Sequence, residues 1–254
     1  MEESTHWQLV EWLHDNRLEL SIVVWPPIGP HIADMTPLLH FRERVVLLAH
    51  RVTGTRDGLP VLDDGRVESN GNFHGAPVAY VLDFLAIIAA DVASISERRT
   101  DRFLDRSRSH GLNPFLASDP GVDSGHMIAQ YTQAAIVSEL KRLAVPASVD
   151  SIPSSAMQED HVSMGWSAAR KLRRAVDGLA RVVAIEYLTA ARALDMRAPL
   201  QPSPATAAAV ALLRRNVEGP GPDRHLAPEI EHAVEDVRTG ALVRTVEDTM
   251  GPLA

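Results

Sequence analysis

The chain has 254 residues, a formal net charge of −8 and no cysteine, so it is long enough for one large domain or two small ones, and disulfides, thiolate metal sites and cysteine nucleophiles are excluded. Acidic and basic residues are interspersed, which argues against a general nucleic-acid or anionic-membrane surface. Aromatic residues are only 5 % while alanine and leucine abound, a balance that favours helices over strands. The N-terminus carries Glu2 and Glu3 rather than a basic, then apolar, leader. Apolar runs are interrupted by charge, so no membrane span is expected. Absence of cysteine fits a reducing cytoplasm. The eleven histidines form no H-E-x-x-H or comparable ligand spacing, and no metal site is expected.

Residues 1–28 read as a separate arm. Trp7, Leu9, Val10, Trp12 and Leu13 suggest a short amphipathic helix, and Leu18 to Val24 an extended piece broken by Trp25-Pro26-Pro27. Two tryptophans near a terminus are costly to leave in water, so the arm packs on the body or docks on another subunit. Residues 29–254 read as one helical domain. Its first helix covers 35–51 and ends near Gly54; residues 57–72 are rich in turn signals such as Asp57-Gly58 and Asp63-Asp64-Gly65. After Gly71-Asn72-Phe73-His74-Gly75, Pro77 suits a helix start. The run Val78 to Ile95 is apolar on nearly every face, which places it inside a bundle, and Ser96-Glu97-Arg98-Arg99 is expected to close it. A second apolar helix spans about Gly125 to Leu143.

Asp150 to Met164 reads D-S-I-P-S-S-A-M-Q-E-D-H-V-S-M. Pro153 cannot sit inside a helix, Ser155 is a good N-cap, and Gln158 falls where its side chain can reach back to the cap. A long helix is therefore expected from Ser155 to Arg197, with Glu159 and Asp160 in its first turn, where the dipole favours negative charge. On spacing alone these carboxylates are cap complement. Ser203-Pro204 begins a further helix to about Val217, and Pro228 to Thr239 is read as the last one, before Gly240.

Four runs occur in the order found in a known family: G-N-F-H-G at 71–75, I-S-E-R-R at 95–99, N-P-F-L with G-V-D-S-G-H-M-I-A-Q at 113–130, and P-A-S-V-D-S-I-P-S-S-A-M-Q-E-D-H-V-S-M at 146–164. Weaker echoes follow at 184–188, 193–197 and 227–234. The chain thus resembles the C-terminal half of the histidine and aromatic amino acid ammonia-lyases, and Q-E-D-H is closest to the histidine branch. That resemblance implies an all-α, elongated bundle of long, mostly antiparallel helices. It also implies a methylidene-imidazolone (MIO) electrophile, made in the family from an Ala-Ser-Gly triplet in the N-terminal half.

By resemblance, Glu159 is the candidate catalytic residue, meeting the substrate's imidazole or amine. Phe73 would line the substrate pocket, and Gln158, Asn72 and His74 would hold it in place. The plain alternatives are that Phe73 is ordinary core and that His74 and His161 are structural histidines. The sequence departs from the family in telling places. It contains no Ala-Ser-Gly, and it lacks the family's N-terminal-half tyrosine base. Where the family's Q-D-P-Y-S-x-R segment falls, Ser21 to Pro27 reads S-I-V-V-W-P-P. Asp123 and His126 stand where the histidine-acting enzymes usually have Asn and Phe.

A positioned general base supplies about 10² to 10⁴ in rate, and the electrophile carries the hard step, so the chain alone is expected to be inactive. The expectation is a split enzyme: a separate N-terminal-half subunit brings the Ala-Ser-Gly triplet, and the two form a hetero-oligomer, a tetramer of halves. The alternatives are a non-catalytic paralogue acting as an assembly or regulatory scaffold, and half of an aminomutase.

Overall fold

The computed structural model of the protein describes residues 74–253. The expected arm at 1–28, the helix at 35–51, the turns at 57–72 and two candidate site residues, Asn72 and Phe73, lie outside the described residues. Six α-helices follow within them: α1 (Ala76–Leu104), α2 (Met127–Leu143), α3 (Gly165–Asp195), α4 (Pro204–Leu213), α5 (Ala227–Arg238) and α6 (Ala241–Met250). Short 3₁₀ turns occupy Pro114–Leu116 and Ser155–Met157. No strand occurs among the described residues, in accord with the expected all-α class.

Small side chains let the first three helices approach closely. Ala86, Ala89, Ala90 and Ala93 of α1 are buried with Val137, Leu140 and Leu143 of α2 and Ala175 and Val182 of α3. Gly178 of α3 lies close against α2, since a Cβ there would lie 2.9 Å from Leu140 Cδ2. A second core joins Ala184, Leu188 and Ala191 of α3 to Leu213, Val217 and the α5 residues Ala233 and Val234. Leu104, Leu112, Leu116 and Ala193 form a third.

Five sequence expectations need correction. First, α1 does not stop at the charged run 96–99 but continues to Leu104. Part of that run faces inward: Ser96 and Glu97 are buried, as is the following Thr100, while Arg98 and Arg99 are exposed. Ser96 Oγ donates to Glu186 at 2.6 Å and Gln130 Nε2 donates to Glu97 at 2.6 Å, while Arg99 pairs with Glu186. Polar groups are tolerated in a core when they are paired in this way, so I-S-E-R-R is a cross-link between helices rather than a helix end. Second, α1 is long and apolar enough to cross a membrane by length and composition, contrary to the expected absence of such a segment. Its alanine face packs against α2 and α3, and of the two carboxylates within the apolar run Asp83 is ion-paired to α3 while Asp91 is exposed.

Third, the long helix starts at Gly165, not Ser155, and ends at Asp195. The reason is packing. Residues 158–164 offer no apolar stripe at helical spacing, whereas from Ala168 the buried positions Ala168, Ala175, Val182 and Ile185 give α3 a face to cover. Fourth, α5 is not the last helix. Gly240, at φ +72°, turns the chain directly into α6, where Leu242, Val243, Val246 and Met250 repeat at helical intervals. Fifth, the α4 helix ends at Leu213, short of the expected Val217.

Candidate functional site

The segment between α2 and α3 carries Gln158 and Glu159 on a loop, so the expected capping arrangement is absent. Ser155, Ala156 and Met157 have φ of +52°, +53° and +71°. Three successive L-residues in the left-handed region cost on the order of 1 kcal/mol or more each, and strain of this kind persists only where surrounding structure imposes it. A backbone pair closes the turn: Ser154 N–H donates to the Glu159 carbonyl at 2.9 Å and Glu159 N–H to the Ser154 carbonyl at 3.3 Å. Gln158 N–H donates to the Ser155 carbonyl at 3.1 Å, and Val162 N–H to Ser151 Oγ at 2.9 Å. Gln158, Glu159 and Asp160 are exposed. No side chain among the described residues bonds the Glu159 carboxylate. Its oxygens are therefore available to accept a hydrogen bond, or a proton, from a ligand.

The base of this loop is fixed from below. Asp83 of α1, only 2 % exposed, accepts from Ser148 N–H at 2.7 Å and from Lys171 Nζ of α3 at 2.6 Å. Lys171 also donates to the Val145 carbonyl. Burial pushes the Asp83 carboxyl up, but the bonds from Lys171 and Ser148 outweigh it and hold the group below the usual carboxylate range. Sequence reading missed this pair; the available signal was a carboxylate, one of two with Asp91, inside an otherwise apolar run, which needs a partner when buried.

His74 lies at the start of α1, where its Nδ1 accepts from Ala76 N–H at 3.2 Å and so satisfies one of the open donors of the first turn. Asn72 and Phe73 are outside the described residues, so of the five expected site residues Gln158 and Glu159 are brought together on the loop and His74 is placed at a helix start.

A second cluster is built around His126, at the N-cap of α2 and 1 % exposed. Its Nδ1 lies 3.1 Å from Thr189 Oγ1. Burial, reinforced by Arg192, Arg224 and Arg214, pushes the imidazole down to about 3, so the ring is neutral near pH 7. Arg192 donates to the carbonyls of Leu116 at 2.7 Å and Gly221 at 3.0 Å. Asp223 accepts from Ser124 and Gly125 N–H at 2.7 and 2.8 Å, and Asp123 accepts from Asp223 N–H at 3.2 Å. These groups satisfy one another. The departures at Asp123 and His126 thus belong to a structural clasp between the 118–126 and 219–224 loops. Elsewhere, a groove of about 260 Å³ is lined by Phe103, Leu112, Ala193 and Leu194. Two cations beside it are committed, Arg108 to Asp101 and Asp105 and Arg197 to the Ser109 and His110 carbonyls.

The 254 residues contain no Ala-Ser-Gly triplet. What the chain offers is an exposed carboxylate and amide on a tightly turned, anchored loop.

Comparison with known proteins agrees with the helical architecture. Histidine ammonia-lyase of Streptomyces griseus is 68 % identical over 216 residues, which cover 84 % of this chain and 42 % of that protein. Among solved structures, histidine ammonia-lyase from Trypanosoma cruzi superposes with a TM-score of 0.74 at 38 % identity, over 84 % of this chain and 43 % of that one. Tyrosine aminomutase from Streptomyces globisporus does so with a TM-score of 0.73 at 30 % identity, over 96 % and 48 %. The chain spans about two-fifths of the length of the curated relatives it matches. A family model described as aromatic amino acid lyase matches residues 49–215, and the chain belongs to that family.

Proposed function

We propose that this chain supplies the C-terminal half of an MIO-dependent ammonia-lyase of the cytoplasm that eliminates ammonia from histidine or a related amino acid. The observation that carries the reading is the Glu159 carboxylate, unbonded among the described residues and held out on a strained turn whose base is tied to α1 and α3. A carboxylate so presented accepts a hydrogen bond from an imidazole or amine and can take a proton at its free oxygen. Its neighbour Gln158 offers an amide donor and acceptor beside it. The electrophile comes from a separate N-terminal-half subunit bearing Ala-Ser-Gly, and the two chains assemble as a hetero-oligomer. The high identity to histidine ammonia-lyases supports the histidine branch. Exposed apolar side chains on the same stretch of sequence, Ile152 at 60 % and Met157 at 67 %, with Trp166 at 76 %, support coverage by another chain.

One observation favours a second reading. The S-I-V-V-W-P-P run lacks the carboxylate-binding Arg and the Tyr that the family pattern would place there, which suits a non-catalytic paralogue acting as a scaffold. The likeness to a tyrosine aminomutase structure keeps half of an aminomutase as a variant of the first reading.

Co-expression with an N-terminal-half protein bearing Ala-Ser-Gly, purification through a tag on one chain, and an assay of urocanate absorbance from histidine test the proposal. The complex should be active, the chain alone inactive, and Glu159→Gln should lower turnover by about 10² or more. A stable complex inactive on every aromatic amino acid, or one indifferent to Glu159→Gln, would favour the scaffold.

A further inference from the structure

We propose that Asp83, acting with Lys171, is a positioning residue for Glu159; this rests on the ammonia-lyase reading above. A single buried carboxylate here gathers three pieces of chain. Asp83 lies on α1, its partner Lys171 on the second turn of α3, and its other acceptor bond takes Ser148 N–H at 2.7 Å. Through Lys171 the same pair also grips the Val145 carbonyl. Both ends of the short stretch that leaves α2 are therefore fastened to the two helices. The Glu159 turn hangs from that stretch, and its own bonds, Asp150 N–H to the Ala147 carbonyl, Val162 N–H to Ser151 Oγ and the Ser154–Glu159 pair, close the segment on itself. The Asp83 anchor sets where the closed turn stands relative to α1 and α3.

Energetics argue that apolar side chains in place of the pair would serve stability as well. Burying two charges costs several kcal/mol per ion before pairing, and replacing a buried ion pair by apolar side chains of similar volume is often neutral or stabilising. The Asp83 site is walled by apolar α1 residues, among them Ala79 and Ala86 one turn to either side, both buried. A leucine there would suit the core. What leucine cannot do is accept two directional bonds and fix the loop's base to within a fraction of an ångström, the tolerance that placement of a reacting group demands.

The test is the double variant Asp83→Leu/Lys171→Met, with Asp83→Asn as a milder companion, each in the full chain and in the complex with its N-terminal-half partner. Hydrogen exchange by mass spectrometry should rise at least tenfold for amides within 145–164, with the α2 interior from Gln133 to Leu140 unchanged. In the complex, kcat should fall at least tenfold at an unchanged melting temperature. A purely structural pair would lower the melting temperature and leave turnover per folded site intact. Wild-type exchange in the double variant, or raised exchange with unchanged kcat, would overturn the proposal. If the wild-type complex proves inactive, the ammonia-lyase reading fails, and with it the role toward Glu159; the exchange result then still decides whether Asp83 holds the loop.

Discussion

Two titratable side chains of this chain stand in opposite environments. Glu159 is exposed and without a bond among the described residues, whereas His126 is sealed between α2 and α3 and held neutral by burial and three nearby guanidinium groups. The second condition has a measurable consequence. An imidazole near 6.5 in the unfolded chain and about 3 in the folded one binds its proton only on unfolding between those values, so stability is lost as pH falls below about 6.5. The slope is about 1.4 kcal/mol per pH unit down to roughly pH 4. Asp83, whose carboxyl is depressed, contributes stability above 3.8 that begins to fade only below that value, outside this window. Urea unfolding of the full chain from pH 7 to 4 should therefore show a falling limb that His126→Gln flattens by about one proton. An unchanged limb in that variant would mean the ring is protonated in the folded state.

Among the elements, the loop that starts α2 depends on one backbone conformation. Gly125 sits at φ +58°, and a Cβ there would lie 2.4 Å from the Phe115 carbonyl oxygen and 2.8 Å from Ala117 N. Gly125→Ala must therefore move backbone against backbone and should destabilise the chain by at least about 2 kcal/mol, read as a lower urea midpoint at unchanged slope. The existence of α1, α2, α3 and α5 was legible in the sequence because each carries an apolar face at helical spacing. Boundaries were legible only where a local signal and packing agree. Pro204 and Pro228 are such cases, each at a first helical turn. Ser155 was misread because a good cap, with Gln158 three positions on, describes a helix start only if an apolar stripe follows. Here the stripe begins only at Ala168, and the intervening segment closes on its own turn while its base is tied to Asp83 by a Ser148 hydrogen bond and a Lys171 ion pair that span 65 and 88 residues of sequence. Glu159 became a candidate site residue only through family resemblance, since spacing alone read it as a cap. Asp83 was invisible because its partners are non-local.

At the scale of the molecule, α1 presents Tyr80, Ile87 and Ile95 at 56, 42 and 50 % exposure, an apolar row on one side of a helix whose alanine side is buried. In the proposed assembly this row, broken by the exposed Asp91, is a surface for the partner chain to cover. Ile87→Glu should weaken assembly, seen as a shift toward the monomer in sedimentation velocity without loss of helical signal; an unshifted profile would exclude this face from the contact. The 31-residue α3, about 46 Å long at 1.5 Å per residue, contributes to all three cores: Ala175 and Val182 to the first, Ala184 to Ala191 to the second, Ala193 to the third. No core can come apart while α3 stays docked in the others without stranding one of its own faces in water. Heating should accordingly give one calorimetric transition for residues 78–253, with calorimetric and van't Hoff enthalpies in agreement: the helix acts as the axle on which the cores melt together.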